Sequence, residues 1–208
     1  MATRGSPFEK RDSVSNAVLV RHPQGDILID TGLGRSIGSQ MEQFPFLFRL
    51  ATDLVQLQPA ADQLDAAGYD RKRLRYIVLT HAHWDHVSGV PDSPGVPVLL
   101  TAAEYRFIDV GGFATETARS MKATAAFQGY AFDPVPYLGF DQSRDLYGDG
   151  SIVIVPVPGH TPGSVAIFVT PPAIWCGNSR AYWSERGDRG SRQSSVKIVS
   201  RFSSPCFG

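Results

Sequence analysis

Apolar positions recur along this chain with two periods, and the switch between them outlines its elements. Residues 16–21 and 26–30 are short, β-branched runs on either side of His22-Pro23-Gln24-Gly25. They predict two strands joined by a hairpin turn, with His22 facing solvent. Leu74-Arg75-Tyr76-Ile77-Val78-Leu79-Thr80 predicts a buried strand, and residues 97–101 predict another. Residues 152–155 and 165–169 are apolar runs flanking a Pro- and Gly-rich turn, and predict paired strands. Between these, Phe46, Leu47, Leu50, Leu54 and Leu57 fall at helical spacing, with Phe44 and Phe48 adding aromatic bulk. This stretch reads as a helix packed on the sheet, or as a partly exposed lid that lines an apolar pocket or a dimer surface. Residues 59–67 predict a helix with Pro59 in its first turn and Gly68 as its stop. Shorter helices are expected at 102–108 and 118–127.

Elsewhere the pattern weakens. The Pro-broken aromatic stretch at 132–137 reads either as a connection or as the wall of a substrate site. Serine, arginine and glycine dominate residues 184–208, where only Val196-Lys197-Ile198-Val199 could make a strand. That composition predicts a largely disordered tail behind one domain over 13–183. At 208 residues the chain can bury a substantial core. Its 20 basic residues match its 20 acidic ones, so no global field draws it to nucleic acid. Two cysteines, Cys176 and Cys206, make no disulfide framework and suit a reducing compartment. Neither a signal core at the start nor a membrane-length apolar run is present, and a cytoplasmic location is the expectation.

The chemistry concentrates in two places. His81-Ala82-His83-Trp84-Asp85-His86 puts three imidazoles and a carboxylate within six residues, where the strand over 74–80 gives way to a loop. Imidazole nitrogens suit zinc, and a carboxylate adds an oxygen ligand or a proton carrier. In extended chain His81 and His83 point the same way. Asp85 and His86 follow the turn and can approach a second position nearby. Far along the chain, Val157-Pro158-Gly159-His160-Thr161-Pro162-Gly163-Ser164 holds one histidine in a turn stiffened by proline. Asp30, at the end of an early strand, either orients a ligand imidazole from behind or starts the turn at Thr31-Gly32.

Taken in order, Ile29-Asp30-Thr31-Gly32, Thr80-His81-Ala82-His83-Trp84-Asp85-His86 with Gly89, and Pro158-Gly159-His160-Thr161-Pro162-Gly163 resemble the metallo-β-lactamase-fold hydrolase superfamily, over about residues 16–178. The resemblance implies an α+β fold, a four-layer αββα sandwich with its metals at one edge between the sheets. It assigns His81, His83 and His160 to a first metal, and Asp85 and His86 to a second. Two features depart from the family. Asn178 stands where a bridging aspartate is usual, and no histidine follows His160. A neutral amide cannot bridge two cations as a carboxylate does. The first site is therefore expected to be complete, the second is short of two ligands, and the fold is incomplete at both ends. Cys176 offers a substitute thiolate or simply fills the core.

The function expected is a zinc-dependent hydrolase, other divalent metals being alternatives. Zinc lowers the pKa of bound water from about 16 to near 7. The resulting hydroxide would attack a carbonyl, with Asp85 orienting water or carrying its proton. Tyr182 offers either a carbonyl-polarising hydroxyl or packing. The substrate expected is a small molecule, a lactone or ester with an acyl tail, as in lactonase-like members; a thioester, as in glyoxalase II-like members, is the alternative. A catalytically impaired relative that keeps one metal site is the second reading. The segment over 44–57 is also a candidate homodimer surface.

Overall fold

A computed structural model describes residues 10–55, 57–170 and 197–205, with side chains placed over 15–55 and 57–170. Among the described residues the strands are β1 (Lys10–Val20), β2 (Asp26–Ile29), β3 (Asp53–Val55), β4 (Leu74–Val78), β5 (Val98–Thr101), β6 (Phe127–Tyr130), β7 (Arg144–Asp145), β8 (Ile152–Pro156), β9 (Val165–Val169) and β10 (Lys197–Pro205). The helices are α1 (Ile37–Met41), α2 (Phe46–Ala51), α3 (Ala60–Ala66), α4 (Trp84–Val87), α5 (Ala102–Val110) and α6 (Glu116–Ser120). Seven strands form one mixed sheet in the order β3-β10-β1-β2-β4-β5-β6, and β7-β8-β9 form a second, antiparallel sheet.

The large sheet is parallel from β2 to β6 and antiparallel at β1, β10 and β3. Its central strands are apolar on both faces because both faces are covered. Leu28, Ile77, Leu79, Val98 and Leu100 face a core shared with Leu64, Val87, Ile108 and Ala118 from the helices and the α4 loop. On the opposite face, Ile27 and Val78 meet Ile152, Ile154 and Val165 of the small sheet. Alternation by two along each strand separates these cores, which is the layered α+β arrangement expected. On the outer side of the small sheet, Phe168 of β9 packs edge-on against Tyr137 and Phe140, so the 132–143 segment serves as a cover here.

Several expectations are corrected. His22 does not face solvent; it is buried, stacked on Tyr147 at 4.1 Å, with Nε2 3.1 Å from both Asp149 and Ser151. The second sheet packs over that end of the hairpin, a contact that local turn chemistry does not report. The helix over 44–57 is only α2, with no buried side chain, and the chain then becomes strand β3. Val55 and its neighbours pair with β10, which overrides the helical period. The helix over 118–127 stops at Ser120, because Phe127–Tyr130 pair in parallel with β5. Residues 197–205 are a strand between β1 and β3, longer than the strand allowed for at 196–199. Cys176, Asn178, Tyr182, Cys206 and residues 184–196 lie outside the described residues.

Candidate metal centre

All the histidines of the site sit where strands end. β4 runs out at Val78, and the chain from Thr80 to His83 crosses the edge between the two sheets before α4 begins, with His83 at its N-cap. The β8–β9 hairpin arrives from the other sheet. Its turn is closed by Val157 N–H donating to Ser164 O (2.9 Å), and Val165 N–H donates to Thr80 O (3.0 Å). That last bond ties the two sheets together beside the histidines. A site at the carboxyl ends of parallel strands is the usual place for a ligand in open α/β sheets.

The turn at 157–164 and the 81–83 loop bring His81, His83 and His160 together. One ring nitrogen of each lies within 4.8 Å of the others. The ring centroids are 4.6 Å apart for His81–His83, 4.8 Å for His81–His160 and 4.6 Å for His83–His160. His81 is buried, His83 half-buried and His160 exposed, so the group is open on one side. Burial, together with neighbouring imidazoles, pushes the His81 pKa down to about 2 and that of His83 to about 4. Both are therefore neutral at pH 7, with a lone pair to offer.

Asp85 and His86 lie beside this group. The His86 ring is 4.0 Å from that of His81, and its Nε2 is 3.3 Å from Asp85 Oδ2. Its other nitrogen, Nδ1, is 2.8 Å from Asp30 Oδ2. Burial opposes the charged form of His86, but Asp30 and Asp85 outweigh it and raise the pKa to about 10. Burial likewise opposes the Asp85 anion, yet the contact with His86 holds its carboxyl below the usual range.

Asp30 does more than start a turn. Its Oδ1 accepts Thr80 N–H and its Oδ2 accepts the Thr80 hydroxyl, both at 2.8 Å. Its backbone is left-handed (φ 53°), a conformation that aspartate tolerates better than most residues. Thr31 follows, donating N–H and hydroxyl to His86 O (2.9 and 2.7 Å). The end of β2 is thus fastened to the histidine loop at several points. Sequence reasoning gave no role in the site to Thr80 and Thr31, which it quoted only within motifs, and passed over Glu104. The last is a fully buried carboxylate on α5 that touches both histidine loops.

The family model described as Metallo-beta-lactamase superfamily matches residues 11–172. This chain belongs to that superfamily. It is 31% identical over 175 residues to a "probable metallo-hydrolase" of Mycobacterium tuberculosis, an alignment spanning 79% of this chain and 56% of that protein. It is 24% identical over 203 residues to the N-acyl homoserine lactonase AttM of Agrobacterium fabrum, spanning 87% of this chain and 72% of that one. Among solved structures, a quorum-quenching N-acyl homoserine lactone lactonase superimposes with a TM-score of 0.51 at 20% identity, over 73% of this chain and 53% of that one. This shows a shared fold. The chain spans about half the length of the mycobacterial relative. No helix among the described residues is long and apolar enough to cross a membrane.

Proposed function

We propose that His81, His83 and His160 hold a zinc ion and that the chain is the metal-bearing part of a hydrolase opening a lactone or ester with an acyl tail. The convergence of three imidazoles from two sheets, within 4.8 Å and open on one side, carries this reading. The group fits the ion. Nitrogens around a tetrahedral zinc stand about 3.4 Å apart, so small side-chain rotations close the set. Imidazoles alone suit zinc better than a hard cation such as magnesium or calcium. When bound, zinc supplies a Lewis acid that makes water nucleophilic near neutral pH.

The rest is done by the chain. The Asp85 carboxylate, kept ionised by His86, accepts a proton or orders a water beside the imidazoles. Asp30 and Thr80 hold His86 in place from behind. Beyond Trp84, which separates His83 from Asp85, Leu33, Ile37 and Phe44 form an apolar cluster with Met41, Phe48 and Leu54. Met41 and Leu54 also line an open cleft of about 400 Å³ with Phe46 and Leu50. We assign this cleft to the acyl tail rather than to a second copy of the chain. Several relatives, AttM among them, are named for N-acyl homoserine lactones, which have such a tail. A cytoplasmic setting completes the proposal, on the grounds of the two cysteines.

A second reading, a scaffold that binds one metal without turnover, is favoured by Asn178 standing where the family usually has a carboxylate. Zinc analysis and a panel of lactones, esters and thioesters separate the two. One zinc per chain with lactone turnover that is abolished in His83→Ala supports the hydrolase. One zinc with no turnover supports the scaffold, and no zinc refutes both.

A further inference from the structure

Glu104 is fully buried, and among the described residues no cation pairs with it. Its sequence context predicts something local. Thr101-Ala102-Ala103-Glu104 follows a strand and opens α5, the pattern of a capping box, in which Thr and Glu side chains satisfy each other's backbone N–H groups. Half of that box forms, with Glu104 N–H donating to Thr101 Oγ1 (3.1 Å). The other half is redirected. Glu104 Oε1 accepts Ala82 N–H at 2.8 Å, while Oε2 accepts the Thr161 hydroxyl at 2.7 Å and Gly163 N–H at 2.9 Å.

Those three donors are not scattered. Ala82 lies between His81 and His83, and Thr161 follows His160. The carboxylate spans 22 residues back to one loop and 59 residues forward to the other, so it joins the two segments that supply the three imidazoles. Thr101 reinforces the second loop by donating its hydroxyl to Gly163 O (3.1 Å). Gly163 is the residue that permits this approach, since a Cβ there would fall 2.3–2.5 Å from Thr101 Oγ1, Glu104 N and Glu104 Cβ. A buried carboxylate acquires three donors only where the backbone is built around it.

We propose that Glu104 is a positioning residue that sets the distance between the His81–His83 loop and the His160 loop, and so the affinity of the metal. It makes no contact with the ion or the substrate. The inference rests on the metal reading above. It also carries a chemical signature, because all three contacts require an acceptor. Glutamine keeps the shape but must turn its NH₂ toward a donor. The better arrangement leaves its carbonyl oxygen on Thr161 and Gly163 and sets NH₂ against Ala82 N–H.

The test compares the full chain with Glu104→Gln, Thr161→Val and, as a control, Ile108→Val. Ile108 is buried on the same helix and its apolar side chain makes no hydrogen bond, so its truncation loosens the core and leaves the three bonds to Glu104 in place. Zinc affinity is measured by competition with a chromophoric chelator, and the cobalt(II)-loaded proteins give d–d spectra that report ligand geometry. Glu104→Gln is expected to weaken zinc 10- to 100-fold, as loss of groups behind metal ligands does elsewhere, and to alter the cobalt spectrum. Ile108→Val is expected to lower thermal stability while leaving both readouts at the wild-type values. If Glu104→Gln does not fold, Thr161→Val, which removes one contact of three, carries the test with an expected loss of about 3- to 10-fold. Wild-type affinity and spectrum in the folded Glu104 variant, or in Thr161→Val where it stands in, overturn the inference alone. Absence of zinc binding by the unaltered chain overturns it together with the metal reading.

Discussion

Gly163→Ala perturbs the site without altering any side chain that could reach the metal. The backbone at Gly163 is not left-handed, so the added methyl acts only through space. It would stand 2.3 Å from Thr101 Oγ1 and 2.4 Å from Glu104 N, against 3.4 Å or more for ordinary contacts of a Cβ. The hairpin turn must retreat from α5 by about 1 Å, since a packed interior cannot absorb the overlap. Retreat stretches Gly163 N–H to Glu104 (2.9 Å) and Thr101 Oγ1 to Gly163 O (3.1 Å) and carries His160 with it. Overpacking costs about 1–3 kcal/mol, and for a chain of this size each kcal/mol lowers the melting temperature by about 2–4 °C. A displacement of about 1 Å at a catalytic group costs about 100-fold in rate. The assay is thermal melting of the metal-free protein together with zinc affinity and lactone hydrolysis. Gly38→Ala, at a residue that lines the cleft given to the acyl tail, is the control for melting and zinc affinity alone, because nothing lies within 4 Å of a Cβ there and α1 should gain about 0.5–1 kcal/mol of helix preference. Wild-type melting and zinc affinity in Gly163→Ala would refute the argument that this close approach fixes the His160 turn.

Other outcomes follow from the same geometry. His160→Ala should leave the fold intact, because the side chain is exposed, yet weaken zinc binding strongly by leaving two imidazoles for the ion, which competition with a chelator reads directly. Asp26 is buried, accepting His22 N–H, the Tyr69 hydroxyl and the Arg73 guanidinium, and although burial opposes its charge, these partners hold its pKa below the usual value. Its folded pKa being depressed, its stabilisation is complete above the unfolded value near 4 and is lost as pH falls through the lower folded value. Asp26→Asn should therefore cost about 2 kcal/mol at pH 7, in the lower range because Arg73 reaches solvent, with the gap in urea midpoint closing below about pH 4. Leu50→Ser should change stability by less than about 0.5 kcal/mol, since Leu50 is 69% exposed. If the cleft holds an acyl tail, the same change should raise KM for long-chain lactones about tenfold, through about two methylenes left in water at ~0.8 kcal/mol each, and spare short-chain ones.

The parts of this molecule legible in the sequence are those whose signals are local. Within the run at 74–80, Leu74–Val78 is a strand because its core requires apolar residues on both faces, and the histidines beginning just past its end mark the site. The hairpin at 152–169 was equally plain, its register pairing Ile154 with Ile167. Long-range pairing hid the rest. Nothing near Val55 announces a neighbour at Arg201, and nothing near Phe127 announces one at Val98. His22 looked like a turn residue because the Tyr147 that stacks on it is supplied by the other sheet. Of the site, the residues that present nitrogen lone pairs could be read from spacing. The groups holding them could not, because Glu104 and Thr80 carry ordinary local signals, a helix start and a strand end.

The central claim is that imidazoles from residues 81, 83 and 160 share one ion. X-ray absorption at the zinc edge on the loaded full chain tests it most directly. The account predicts imidazole back-scattering from three nitrogens at about 2.0–2.1 Å, falling to two in His83→Ala. A zinc environment without imidazole scattering, or one that His83→Ala leaves unchanged, would contradict it.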